Sequence, residues 1–121
     1  MTERLFFPAT KRNRDVIGEV LSRVLPKSGT ILEIASGSGE HGVEFQKRFP
    51  NINWQTSDPD PSCRKSITAW INHLGLSKKM PEPIDVDVKK RPWPLSIEFK
   101  SSIKAIICIN MLHVSPWQCT E

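Results

Sequence analysis

The residues best suited to chemistry fall between positions 31 and 60. In Ile31-Leu32-Glu33-Ile34-Ala35-Ser36-Gly37-Ser38-Gly39-Glu40-His41-Gly42, three glycines (Gly37, Gly39 and Gly42) fit a G-x-G-x-x-G spacing. Glycine permits a tight turn and lets a ligand approach the main chain with no Cβ in the way. A helix starting there offers free N–H groups to acceptors on that ligand. A plain strand-to-helix turn would use the same pattern, so the acids around it decide the reading. Asp58 comes about 20 residues after the glycines, where a carboxylate accepts hydrogen bonds from both hydroxyls of a ribose. It also belongs to the turn Asp58-Pro59-Asp60-Pro61. The two roles are compatible: the turn fixes the carboxylate and the carboxylate meets the sugar.

These residues suit any ribose-containing cofactor, NAD included. Glu33 shifts the balance, because it precedes the glycines inside a strand that is normally apolar in dinucleotide-binding domains. A carboxylate there suits a ligand carrying an ammonium and a sulfonium. A helix before the first strand points the same way, since a dinucleotide-binding domain commonly opens with that strand. Among the histidines, His113 follows the fourth strand and is either a general base or a structural residue. His41 reads as part of the loop's hydrogen bonding, and His73 as a helix C-terminal residue, where a cation is favoured.

The elements that must position these residues alternate. Asn13 to Leu25 reads as a helix, with Val16, Ile17, Val20, Leu21 and Val24 in one stripe, stopped by Pro26 and Gly29. Thr30 to Ala35 reads as a buried strand, followed by a helix from Glu40 to about Phe49. Asn53 to Ser57 is the second strand. Asp60 as N-cap and Pro61 at the first helical position open a third helix, whose face is Cys63, Ile67, Trp70, Ile71 and Leu74 and whose end is marked by Gly75. Ile84 to Val88 is the expected third strand, and Ile103 to Ile109 the fourth, apolar except at Lys104. This order indicates an α/β fold with mainly parallel strands, about four in number, flanked by helices.

Ser115-Pro116-Trp117-Gln118 reads as a capping box announcing a further helix. Glu121 comes after little more than one turn of it, so residues 1–121 read as a single incomplete domain. Without further strands, the fourth strand would be an exposed apolar edge and a route to association with another chain.

The 121 residues suffice for one domain, and no apolar run approaches the ~20 residues of a membrane helix. With no signal-peptide pattern, the expected location is the cytoplasm. Cys63, Cys108 and Cys119 form neither a CxxC pair nor a metal-ligand cluster, so reduced thiols and no metal are expected. The net charge of +4 is spread over small groups such as Lys47-Arg48 and Lys89-Lys90-Arg91, with no aromatics between them to stack on bases.

The glycine-rich loop behind an acid resembles the first motif of class I methyltransferases. Further segments resemble the methyltransferase-like protein 26 family: Pro8-Ala9-Thr10-Lys11-Arg12-Asn13, Leu32 to His41, Trp54-Gln55-Thr56-Ser57-Asp58-Pro59-Asp60, Pro92-Trp93-Pro94-Leu95 and Asn110-Met111-Leu112-His113-Val114-Ser115-Pro116-Trp117. The resemblance implies a Rossmann-like fold and S-adenosyl-L-methionine as cofactor. It implies that Glu33, Gly37 and Gly39 line the methionine side and that Asp58 holds the ribose. Asp87 would face the adenine amino group, and Asn110 and Met111 would border the transfer site. Arg12 and Asn13 would cover the cofactor. Asn110 and His113 are the candidates beside the reacting methyl, with no catalytic residue assigned. The acceptor would be a small molecule or a protein. The Asn110-Met111-Leu112-His113 segment differs from the Asn/Asp-Pro-Pro-aromatic loop of enzymes that methylate nucleic-acid amino groups. The family's usual domain continues through three more strands with their helices, so a non-catalytic cofactor-binding fragment is the alternative, beside an NAD-type binder.

Overall fold

The computed structural model describes residues 8–87, 93, 95–108 and 113–116, with 8–14 and 113–116 described by main chain alone. The elements are α1 (Pro8–Val24), β1 (Gly29–Glu33), α2 (Glu40–Arg48), β2 (Ile52–Gln55), α3 (Pro61–His73), α4 (Ile97–Ser102), β3 (Ile103–Cys108) and β4 (His113–Pro116). The sheet order is β2-β1-β3-β4, with β1 parallel to β2 and β3, and β4 antiparallel to β3. It is the expected mainly parallel sheet flanked by helices.

Side chains alternate across the sheet because successive Cβ atoms point to opposite faces. Ile31, Trp54 and Ile107 meet Leu21, Val43, Phe45, Ile67 and Ile71 of α1, α2 and α3. Leu32, Ile103 and Ile106 face the other way, against Val86 and Trp93, with Phe99 of α4 partly covering them. α1 starts earlier than its apolar spacing indicates, and its buried stripe is narrower. Ile17 and Leu21 are buried, whereas Val16 and Val24 are exposed. Gly18 lies under the Arg48 guanidinium of α2, and a Cβ there would push that flexible group aside.

α3 follows its signals closely. Asp60 Oδ1 accepts from the Ser62 N–H at 2.8 Å, Pro61 opens the helix, and Gly75 takes a left-handed φ of 69°. α4, capped by the Ser96 hydroxyl, has no counterpart among the expected elements.

Among the described residues, the expected third strand is reduced to one parallel bridge, between Ser57 and Ile84. Carried on from that bridge, Val86 would stand opposite Pro59, which has no N–H and where the chain is already turning into α3. Below the bridge, a side chain takes the free partners. Gln46 of α2 donates from Nε2 to the Ile52 carbonyl at 2.6 Å, and its Oε1 accepts from the Trp54 N–H at 2.8 Å. Those are the main-chain groups a third strand would have paired with along the lower half of β2. Only the upper positions are left: Ile84 N–H reaches Thr56 O at 3.2 Å, and Asp58 N–H reaches Ile84 O at 3.0 Å.

The first two positions of the helix announced at Ser115 are strand, and the rest of it lies outside the described residues. Ser115 and Pro116 lie in β4, paired with Ile106 and Ala105. The open edge of an apolar strand offers a run of main-chain hydrogen bonds, and that tertiary gain outweighs a local capping preference worth about 1 kcal/mol. Pro116 sits at the strand's end, where a missing N–H is tolerated. The fourth strand of the sequence reading is β3, which is therefore covered on both sides and is not the sheet edge. Among the described residues, no helix is long and apolar enough to cross a membrane.

Candidate functional site

The site lies where β1 and β2 end, at the carboxyl edge of the sheet, and is built on the turn between β1 and α2. Ala35, Gly37 and Gly39 alternate in left-handed conformations, with φ of 52°, 62° and 93°. At Gly39 a Cβ would stand 2.9 Å from Ile67 Cα, so α3 can pack on the turn only if this residue is glycine. A Cβ on Gly42 would come within 3.0 Å of Glu33 Oε1, and its absence lets α2 settle over that carboxyl group.

Asp58 ties the turn to β2. It is 8% exposed; Oδ2 accepts from the Gly37 N–H at 3.0 Å and Oδ1 from the Asp60 N–H at 2.9 Å. Of the two roles read from the sequence, the turn is formed: the carboxylate shapes its own turn, and it also reaches the glycine turn. Each oxygen keeps a further lone pair, because an ionised carboxylate has about four acceptor sites. Short hydroxyl residues complete the floor. Ser57 Oγ donates to Glu33 O at 2.7 Å, Ser57 N–H donates to Ser36 Oγ at 3.0 Å, and Ser66 Oγ donates to Ser38 O at 2.7 Å. The Thr56 hydroxyl is buried with no hydrogen-bond partner among the described residues.

Glu33 is 1% exposed, and its Oε1 accepts from the Trp54 indole N–H at 3.0 Å. Burial pushes its carboxyl up to about 7, against the indole and Ser36 hydrogen bonds, while the negative Asp58 pushes further up. The structure therefore sets Glu33 beneath the turn. Neither Glu33 nor Asp58 is ion-paired among the described residues. With Glu33 about half ionised near pH 7, the field at the site becomes more negative as the pH rises, which fits a cationic ligand better than an anionic one.

The remaining sequence-derived candidates are less concentrated. Asp87 is half-buried beyond the Ile84 bridge, in irregular chain and not at a strand end. Arg12 and Asn13 lie in α1, described by main chain alone, and His113 lies likewise in β4. Asn110 and Met111 fall outside the described residues. His41 belongs to the first turn of α2, stacked on Phe45 at 5.5 Å, and not to the loop itself. His73 closes α3 as expected. Cys63 and Cys108 are half-buried free thiols, and burial followed by the Asp58 charge raises the Cys63 pKa.

Two site residues escape motif logic. Glu40 is buried in the first turn of α2, with Oε2 accepting from the Ser38 hydroxyl at 2.9 Å. Arg64 grips the turn that carries Asp58. Their only sequence signals are the short polar residues among the glycines and the four-residue step from Asp60 to Arg64.

Solved structures share this architecture. A predicted S-adenosyl-L-methionine-dependent methyltransferase from Methanococcus maripaludis superposes with a TM-score of 0.68 at 17% identity, over 84% of this chain and 43% of that one. Coclaurine N-methyltransferase, bound to N-methylheliamine and SAH, gives 0.61 at 10% identity, over 78% and 26%. A SAM-dependent methyltransferase from Geobacter sulfurreducens in complex with S-adenosyl-L-homocysteine gives 0.52 at 20% identity, over 71% and 32%. At such identities the likeness is one of fold, a Rossmann-like methyltransferase fold, and the chain spans less than half the length of these proteins. The sequence itself is matched over residues 4–121 by the model of a family described as a protein of unknown function, DUF938, and the chain belongs to that family.

Proposed function

We propose that this chain forms the cofactor-binding part of an S-adenosylmethionine-dependent methyltransferase. The observation that carries the reading is the pair of buried acids, Glu33 and Asp58, flanking a left-handed glycine turn without a cationic partner among the described residues. When bound, the cofactor would supply an activated methyl group on a sulfonium. The chain's part is to hold it. The free lone pairs of Asp58 accept from the ribose hydroxyls, and Glu33 acts from beneath the turn by its charge. The resemblance to the methyltransferase-like protein 26 family adds Asp87 on the adenine side, Arg12 and Asn13 over the cofactor, and Asn110 and Met111 beside the methyl. Neither a general base nor the acceptor is assigned, beyond a small molecule or a protein.

NAD fits less well. A dinucleotide places its pyrophosphate at the N-terminus of the helix after the glycines. Here Glu40 already puts a buried carboxylate in that first turn. The pyrophosphate would have to share that end of the helix with the Glu40 side chain.

Calorimetry with S-adenosylmethionine, S-adenosylhomocysteine and NAD tests the reading. The first two should bind and NAD should not. Asp58→Ala removes two acceptors for hydroxyl donors and should weaken S-adenosylhomocysteine at least about a hundredfold, since hydrogen bonds to a charged group contribute about 1.5–3 kcal/mol each. Unchanged affinity in a folded Asp58→Ala protein would overturn the ribose role.

A further inference from the structure

Arg64 lies in the first turns of α3, and its side chain is 26% exposed. Its Nη1 donates to the carbonyl oxygens of Asp58 at 2.8 Å and Pro59 at 3.0 Å, and stands 3.7 Å from Asp85 Oδ1. These partners belong to two separate stretches of chain: the turn after β2, and the segment that follows the single bridge at Ile84. Two main-chain hydrogen bonds link Ile84 to Thr56 and Asp58, and Gln55 Nε2 donates to Glu82 O at 2.8 Å.

The choice of partner has a consequence. The guanidinium grips the main chain behind Asp58, while the Asp58 carboxylate bonds to the N–H groups of Gly37 and Asp60. A cation on the carboxylate itself would compete with a ligand for its lone pairs. A cation on the carbonyls fixes the carboxylate's position and leaves those lone pairs available. All three contacts run through Nη1: its two hydrogens serve the two carbonyls, and the delocalised guanidinium charge attracts the Asp85 carboxylate at 3.7 Å.

We infer that Arg64 is a positioning residue for the nucleoside half of the ligand, orienting Asp58 and fastening the Asp85–Asp87 segment to the turn that carries it. The inference rests on the S-adenosyl site proposed above. It assigns Arg64 no contact with the ligand.

The test compares two ligands on three proteins. S-adenosylhomocysteine carries both nucleoside and amino acid, whereas 5′-methylthioadenosine keeps the nucleoside alone. Calorimetry on the wild-type chain, Arg64→Gln and Arg64→Lys is run well below each melting temperature. Arg64→Gln should weaken both ligands by the same factor, about tenfold or more, for the loss of two charge-assisted hydrogen bonds. Arg64→Lys, with one compact donor group, should lose about threefold and so recover part of the effect. Should Arg64→Gln fail to fold, the lysine variant carries the comparison. Unchanged affinity for both ligands in folded variants, even with a lowered melting temperature, would show a merely structural brace and overturn the inference. Weakened S-adenosylhomocysteine with unaltered 5′-methylthioadenosine would overturn it as well. A wild-type chain that binds neither ligand removes the site reading and the inference with it, a result distinct from the other two.

Discussion

Glu33 combines near-complete burial with hydrogen bonds from the Trp54 indole and Ser36 that offset it only in part, and its titration follows from that setting. The carboxyl titrates near 7 in the folded chain, against 4.5 as its ordinary value. Between those two pH values the folded protein holds a proton that the unfolded chain has released. Stability therefore falls as the pH rises from 4.5 through about 7, then levels off. A difference of that size corresponds to about 3 kcal/mol for a fully buried group. Glu33→Gln keeps an acceptor for the Trp54 indole but carries no charge. Urea denaturation between pH 5 and 8 should show the wild type losing stability as the pH rises and the glutamine variant holding steady, the latter more stable above pH 7. Parallel pH profiles would refute this assignment. Under the proposed function, the same charge that weakens the fold as the pH rises is the one a sulfonium would meet, so stability and ligand affinity would draw on Glu33 in opposite directions.

Among the elements, the turn between β1 and α2 stores strain at a residue other than glycine. Ala35 holds a φ of 52°, a conformation that costs an L-residue about 1–2 kcal/mol. Ala35→Gly relieves that cost and restores about 0.5–1 kcal/mol of unfolded-chain entropy, so a net stabilisation of about 0.5–1 kcal/mol is expected. A thermal melt checks it, and a lowered midpoint would count against strain at this position. The glycine turn, the Asp58-Pro59-Asp60-Pro61 turn and the capping of α3 were legible in the sequence because each depends on neighbours within a few residues. The Asp60 cap and the left-handed Gly75 need only the chain around them. The extent of the third strand and the place of Ser115 and Pro116 are decided at long range. The departure of the chain at Pro59 removes the partners of one, and the edge of β3 recruits the other into β4. The brace from Arg64 to the Asp58 turn and to Asp85 was equally invisible, since its meaning depends on where the Ile84 bridge falls.

At the scale of the whole molecule, the sheet separates two unequal cores. Ile31 and Leu32 are neighbours in β1, both with no exposed surface, and they point to opposite faces. Ile31 enters the larger cluster, held by α1, α2 and α3; Leu32 enters a smaller one, walled by α4 and irregular chain. A wall of short and irregular segments closes more readily over a void, and the cost of truncation grows with the cavity that remains. Ile31→Ala should cost about 4 kcal/mol and Leu32→Ala about 2–3 kcal/mol, measured as urea midpoints. The reverse order would show that the thinner side is the stiffer one. The side-chain amide of Gln46 bears on how the molecule meets its neighbours. By standing in for a peptide group along the outer margin of β2, it leaves that margin without a vacant row of donors and acceptors. Growth of the sheet by a foreign strand is thereby refused along that stretch of β2.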